Sequence, residues 1–271
     1  MTGVQTCALP ILALFTDGAV TGIEDLRGHD TQLLNVATVE GIDVTRKLAL
    51  AHEELTVEVW GLLDQMKRPV GIYEVAGLLG GLNATPTIRQ VVVTPPLKLW
   101  HIFRTLEMVY GDAYNSQLND RYGGKRDEYH EMVKWAYNKV LESGLGIVTN
   151  PVEQAAAPMV SVSAGGLADG SYYVSVAWTN AAGEEGASST PAVIQVSGSS
   201  FAVQTTAPAN VNGWNVYCGT SPTTMTIQNS STLGPGQTWV QPDTLSTTGR
   251  MAGSGQRPTY QLPVPRTIQR G

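Results

Sequence analysis

Pro151-Val-Glu-Gln-Ala-Ala-Ala-Pro158 divides the chain into two compositions, and the fold follows from what lies on either side of it. Residues 1–150 carry 13 Lys+Arg and 18 Asp+Glu, whereas residues 151–271 carry 4 and 5. From Pro151 to Gly249 there is no Lys or Arg, and Ser, Thr, Gly, Val and Ala dominate. The contrast reads as a helical domain followed by a β domain. The Pro-bounded joint between them is short and semi-stiff.

Working toward the N-terminus, apolar residues recur with helical spacing. After Asp43, a candidate N-cap, come Val44, Leu48, Ala51, Leu55, Val59, Leu62 and Met66, which trace one face of a helix that Pro69 should stop. Thr94-Pro95 is an N-cap followed by Pro in the first turn, where a missing N–H is harmless. Behind it Leu99, Ile102, Leu106, Val109 and Ala113 form a stripe that Phe103, Tyr110 and Tyr114 widen. A third long helix is marked by Tyr129, Met132, Val133, Ala136, Tyr137, Val140 and Leu141, with Gly144 suited to its C′ position. Gly123-Gly124 marks a break between the last two, and a shorter helix is expected around 31–39. Two readings of the segment between Pro69 and Thr94 stay open. Val70 to Gly81 is a short helix or an extended arm, and Arg89–Val93 is a strand or the approach to the helix.

Toward the C-terminus the period changes to two. Tyr172, Val174, Val176 and Trp178 fall on one face of a strand, and Tyr173, Ser175 and Ala177 on the other. Val193–Val196, Phe201–Val203, Trp214–Cys218, Met225–Ile227 and Thr238–Val240 read as further strands, separated by turn signals such as Ala168-Asp-Gly170 and Gly234-Pro-Gly236. Short strands at this spacing over roughly 95 residues indicate a β-sandwich of immunoglobulin or fibronectin type III style. The absence of a Cys…Trp…Cys spacing excludes an antibody-type domain. Residues 250–271 have no hydrophobic period, three prolines, four arginines and no acid, the pattern of an extended basic arm.

The expected architecture is therefore a helical bundle (12–150), a linker (151–158), a β-sandwich (159–249) and an extended arm (250–271). Met1 to Ile11 resembles the literal translation of a sequencing-library adapter. On that expectation the segment is not native, the natural N-terminus is missing, Cys7 drops out and no secretion signal can be inferred. Cys218 is then a small buried hydrophobe. Two cysteines make no disulfide framework, and no apolar run is long enough to span a membrane. A formal net charge of −6 argues against a general nucleic-acid binder.

No catalytic pattern emerges. His29, His52, His101 and His130 have no metal-ligand spacing, and His52-Glu53-Glu54 lacks the second His of a zinc-protease helix. Structural or solvent roles are the plain account of all four. Glu53, Glu54 and Glu58 belong to a solvated helix face. Gly77-Leu-Leu-Gly-Gly81 lacks the Lys-Ser/Thr of a phosphate-binding loop. The β half has no His to act as a base. Trp178, Trp214 and Trp239 offer either core residues or platforms for a sugar. The expectation is a protein without enzymatic activity, cofactor or metal.

Ile23-Glu-Asp-Leu-Arg27, the run Val36 to Leu55, Leu106 to Tyr122 and Lys125-Arg-Asp-Glu-Tyr129 together resemble the head-to-tail adaptor (connector) proteins of tailed bacteriophages, over residues 22–148. Gly170 to Gly186 resembles the opening of the fibronectin-III-like modules that phage virion proteins append. The resemblance implies a virion structural protein assembled in the host cytoplasm. It would form a homo-oligomeric ring beneath the portal protein and dock tail or tail-completion proteins, with DNA only passing through the channel and no membrane involved. The segment 70–93 and the sandwich depart from that pattern. Tyr114, Asn115, Asn119, Asp120, Arg121 and Tyr122 form a candidate interaction cluster; the plainer account is a helix end at Asn119-Asp120, with Arg121 paired to Asp120 or Asp127. Arg250, Arg257, Arg266 and Arg270 either dock the arm or solubilise a tail. The alternative function is a carbohydrate- or surface-binding protein acting through the sandwich.

Overall fold

The structure, a computed structural model, describes residues 13–18, 20–66, 86–117, 121–208, 210–252 and 256–263. Five helices in the N-terminal half are followed by antiparallel sheets. Two compact units result, one from residues 18–148 with 258–263, the other from 13–17 with 149–257.

In the helical unit, α1 (Ile23–His29) and α2 (Leu33–Glu40) precede the long helices α3 (Val44–Gln65), α4 (Pro95–Gln117) and α5 (Gly123–Ser143). Asp43 caps α3, its carboxylate accepting from the Arg46 N–H at 3.0 Å and satisfying one of the donors a helix start leaves open. The expected stripe from Val44 to Leu62 is buried. In α4, Ile102, Leu106, Val109 and Ala113 are buried as expected, but Leu99 is only half-buried, and Leu97 and Trp100 take its place. The stripe slips because α4 packs against α1, α2, α3 and α5 together and has no single buried face. Of the seven residues that marked α5, only Tyr129, Ala136 and Val140 are buried. This helix leans chiefly on α4, so the others sit half-buried at its flanks.

Gly144 ends α5 at φ 82, and a Cβ there would stand 2.6 Å from the Gln261 carbonyl, so both conformation and space call for glycine. Beyond it β1 (Leu145–Ile147) pairs antiparallel with a strand at the far end of the chain, Thr259–Gln261, numbered β9 as the last in sequence. The stretch Arg89–Val93 combines both open readings. A 3-10 turn covers Ile88–Gln90, then Val91 bridges Ile147, and the Val92 N–H donates to the Gly146 carbonyl at 3.0 Å. The reading of 70–81 and the stop at Pro69 lie outside the described residues.

In the second unit β2 (Met159–Ser163), β5 (Ser200–Gln204) and β8 (Trp239–Val240) form a three-stranded sheet in the order β2-β5-β8. The four-stranded sheet runs β4 (Ala192–Val196), β3 (Gly170–Thr179), β6 (Gly213–Gly219), β7 (Thr226–Ile227). Tyr172, Val174, Val176 and Trp178 of β3 meet Phe201 and Val203 of β5 and Trp214 and Val216 of β6 in one core. The opposite face of β3 is not solvated. Ala177, with Tyr217 and Met225, forms a second small core that Tyr173, Ile227 and Ala252 cover.

Ala252 belongs to the segment read as an extended basic arm, and of the two readings left open for it, docked or solubilising tail, its described residues 250–252 are packed down. Residues 250–252 run beside β7, with Ile227 N–H donating to the Arg250 carbonyl at 2.9 Å and Ala252 N–H to that of Met225 at 3.2 Å. Gln256 is buried, its side chain bonded to Val152 N–H and the Asn150 carbonyl. Residues 259–261 then join the helical unit as β9. The absence of hydrophobic period concealed pairing that is set by distant partners.

Candidate functional site

The expected polar-aromatic cluster gathers around the start of α5. Tyr114, half-buried on α4, lies under the Arg126 guanidinium at 4.4 Å, a cation–π contact. Tyr122 is buried and donates to Glu40 at 3.1 Å, where the Ser116 hydroxyl donates at 2.7 Å. Arg121 is exposed, its guanidinium 5.4 Å from the centre of the Tyr122 ring. Asp127, offered as a partner for Arg121, accepts from Arg126 at 2.7 Å. Asn119 and Asp120 lie outside the described residues.

Asn115 and Arg126 also line a shallow groove of about 370 Å³ between α3 and α5, together with Lys47, Arg104, Glu107 and Asp112. Its side chains are paired: Lys47 with Asp112 at 2.5 Å and Arg104 with Glu54 at 2.6 Å between α3 and α4, Arg104 with Glu107 at 2.6 Å within α4, and the His130 ring with Glu107 at 2.7 Å between α5 and α4. Such a surface presents fixed, mutually neutralised charge, suited to matching another polar surface. Sequence reasoning missed Arg104 and Glu107; their i,i+3 spacing on α4 was the available signal.

The histidines hold structural positions. His101 is buried, with Nδ1 accepting from the Thr21 hydroxyl at 2.6 Å and Nε2 donating to the Leu48 carbonyl at 3.2 Å, an assignment that suits the neutral ring. Burial lowers its pKa to about 4. Burial likewise lowers that of His52, whose ring lies 6.0 Å from the ring of His101. His29 meets Phe103 edge-on. Burial pushes the Cys218 thiol up to about 12, which leaves it a packed hydrophobe rather than a nucleophile. Among the described residues, no group of three or more His, Cys, Asp or Glu could hold a metal ion.

Of the four arginines, Arg250 reaches Glu185 at 2.6 Å. Glu185 is buried in the β unit and also accepts from Tyr217 at 2.6 Å and from Asn215, which in turn accepts from Asn229 at 2.7 Å. Arg257 is exposed, and Arg266 and Arg270 lie outside the described residues. Trp178 and Trp214 are core residues, with the Trp214 indole donating to the Gly234 carbonyl at 2.8 Å, so neither is a platform for a sugar. Trp239 is half-buried against Phe201.

An exposed surface that sequence reasoning did not single out is apolar. On α3, Val57 and Trp60 are 72% and 62% exposed on the side away from the stripe, and Trp135 of α5 is 49% exposed. Their i,i+3 spacing on α3 was visible, but a helix with one clear apolar stripe gave no reason to look for a second. Among the described residues no helix is long and apolar enough to cross a membrane. Comparison with protein-family models, with curated proteins and with solved structures returned no match to this chain.

Proposed function

We propose that this chain is a non-enzymatic structural component of a tailed-phage head–tail junction, an adaptor that rings the exit beneath the portal and docks tail components, and that acts in the virion. The observation that carries this reading is the exposure of Val57, Trp60 and Trp135 on helices whose opposite faces already fill a core. A second, solvent-facing set of large apolar side chains marks a surface made for another protein. Support also comes from the segments that carry the resemblance, which fall on α1, α2, α3, α4 and the start of α5. The grooves beside these helices are open and their titratable groups are ion-paired, which suits docking better than chemistry.

On this reading the β unit is an appended fibronectin-III-like module. Two antiparallel sheets of three and four strands around one core are in keeping with it.

Co-expression with a tailed-phage portal protein is the test. The expected result is a stable complex in which copies of the chain stack as a ring on the portal in electron micrographs. A chain that leaves the portal untouched and shows no place in purified particles overturns the reading.

A further inference from the structure

Glu185 is buried in a stretch of chain, Pro151 to Gly249, that holds no Lys or Arg. A carboxylate taken out of water is costly without a cation, so this one is built to receive its counter-charge from outside that stretch. Its other partners are neutral and fixed. Tyr217 donates to one oxygen at 2.6 Å and Asn215 to the other, and Asn215 is itself held by Asn229 at 2.7 Å. The acid is therefore positioned by groups of the sheet and not by the base that meets it.

That base arrives on an extended segment. β7 is an edge strand of the four-stranded sheet, and residues 250–252 add beyond it in antiparallel pairing. Ile227 N–H donates to the Arg250 carbonyl, Ala252 N–H to that of Met225, and Met251 bridges Thr226. Side chains alternate along such a segment, and each position meets its own demand. A Cβ at Gly249 would stand 2.7 Å from the Ile227 Cγ2 and 2.8 Å from its carbonyl oxygen, so the position calls for glycine. Arg250 reaches Glu185 at 2.6 Å. Met251 is 47% exposed, which leaves its position open to any residue. Ala252 rests on the small core of Ala177, Tyr217 and Met225. The pair Gly-Arg occurs nowhere else in the chain.

We propose that Glu185 and the outer edge of β7 form a binding site for an extended peptide segment of the pattern glycine, arginine, any residue, small residue. Residues 249–252 are its intramolecular occupant, an autoinhibitory contact that a partner protein's segment of the same pattern displaces. Strand addition supplies main-chain bonds and the acid supplies the specificity, a division of labour that recurs in peptide recognition at sheet edges. The resident is held lightly enough to leave. Two backbone bonds secure it to β7, and the Arg250 side chain is 46% exposed. Its departure leaves the four strands of the sheet and the partners of Glu185 in place. The site lies wholly in the β unit and is independent of the head–tail reading, so loss of either leaves the other standing.

The test unseats the resident without touching the site. In the full chain, Gly249→Val with Arg250→Glu keeps the segment off β7 by bulk and by repulsion from Glu185. The probe is a fluorescein-labelled peptide, Thr-Gly-Arg-Met-Ala-Gly, the sequence of residues 248–253. By fluorescence anisotropy the unseated chain is expected to bind it with Kd on the order of 100 μM. The unaltered chain should bind about tenfold or more weakly, because its own segment competes at a millimolar effective concentration. Arg250→Ala or Gly249→Val within the peptide should each weaken binding to the unseated chain about tenfold or more. If near-ultraviolet circular dichroism shows the unseated chain unfolded, Arg250→Ala alone replaces it, with ethylguanidinium as the probe. At about 50 mM, ethylguanidinium should raise the denaturation midpoint of that variant and leave the unaltered chain unmoved, whereas ethylurea, its neutral analogue, should do neither. A folded, unseated chain that ignores the peptide overturns the proposal. So does a peptide that binds equally well without its arginine, an unaltered chain that binds as tightly as the unseated one, or a midpoint that ethylguanidinium fails to move.

Discussion

The Arg250 guanidinium sits 2.6 Å from the Glu185 carboxylate, so a base from the C-terminal stretch closes over a buried acid of the β unit. Glu185 is 2% exposed, and its other partners, Tyr217 and Asn215, are neutral donors. Removing the cation leaves a buried carboxylate with hydrogen bonds but no compensating charge. Arg250→Met is therefore expected to destabilise the β unit by about 2 kcal/mol, below the loss for a fully enclosed pair because the arginine is half exposed. Chemical denaturation followed by tryptophan fluorescence, which reports the buried Trp178 and Trp214, checks it. Glu185→Gln in the Arg250→Met background should recover part of the loss, since the uncompensated charge goes with it.

Tyr110 and Tyr129 both donate to one oxygen of Asp30, at 2.7 and 2.9 Å, which joins α4 and α5 to the residue that follows α1. Burial, then the bond to Asp30 and its charge, raises both phenols well above the usual tyrosine range. Their folded pKa values exceed the unfolded value of 10.0, so this stabilisation is complete below that pH and is lost as alkali is added. In an ultraviolet titration, two of the ten tyrosines should ionise only as the helical unit unfolds. Asp30→Asn should bring that transition to lower pH and remove about 2 kcal/mol at neutrality, the worth of hydrogen bonds to a charged acceptor.

His101 gives the opposite pH dependence. Its ring is buried between the Thr21 hydroxyl and the Leu48 carbonyl, and protonation would place a charge there with no acid among the partners it contacts. The folded pKa of about 4 lies below the ordinary 6.5, so the unfolded chain binds the extra proton first. Stability from this group is complete above about 6.5 and is lost as the pH falls toward 4, on the order of 3 kcal/mol in all. His52 titrates in the same sense. Denaturation midpoints measured across that window should fall with acid in the unaltered chain. The fall should be distinctly shallower in His101→Gln, which keeps a side-chain donor and acceptor but cannot charge.

Local signals were legible in the sequence, and tertiary ones were not. Asp43 before an apolar stripe and Thr94 before Pro95 announce helix starts because a cap acts within one turn, and α3 and α4 begin at the residues that follow. The faces of β3 were readable from alternation, as the two separate cores on its sides show. By contrast, nothing within Thr259-Tyr-Gln261 reveals that its partner is Leu145–Ile147, more than a hundred residues earlier. Met159–Ser163 alternates as Met-Val-Ser-Val-Ser, yet as an exposed edge strand it offers no apolar run to catch the eye. The docking candidates divide the same way. Tyr114 and Tyr122 stood out as aromatics beside a helix break, whereas Val57, Trp60 and Trp135 matter for where neighbouring helices leave them, which no periodicity records.

The β1–β9 pair supplies a last prediction, because its fit depends on an atom that is missing. A Cβ at Gly146 would lie 2.8 Å from methyl groups of both Val92 and Thr94 and 3.0 Å from the Pro258 Cβ. Three rigid neighbours would meet it at once: two β-branched side chains with few rotamers and a proline ring. The chain leading to α4 is held by the Val92 bond to Gly146 and by the helix start at Pro95, whereas β9 contributes a strand of only three residues. The weaker side should yield. Gly146→Ala is expected to cost about 1–3 kcal/mol through overpacking and to release β9 ahead of the helices. Limited proteolysis should then cut near Tyr260 under conditions where the unaltered chain resists, while the helical signal in circular dichroism is retained. Cleavage at the same rate in both chains would mean that β9 is not held by this contact, and loss of the helices along with it would mean that the strand and the bundle unfold as one.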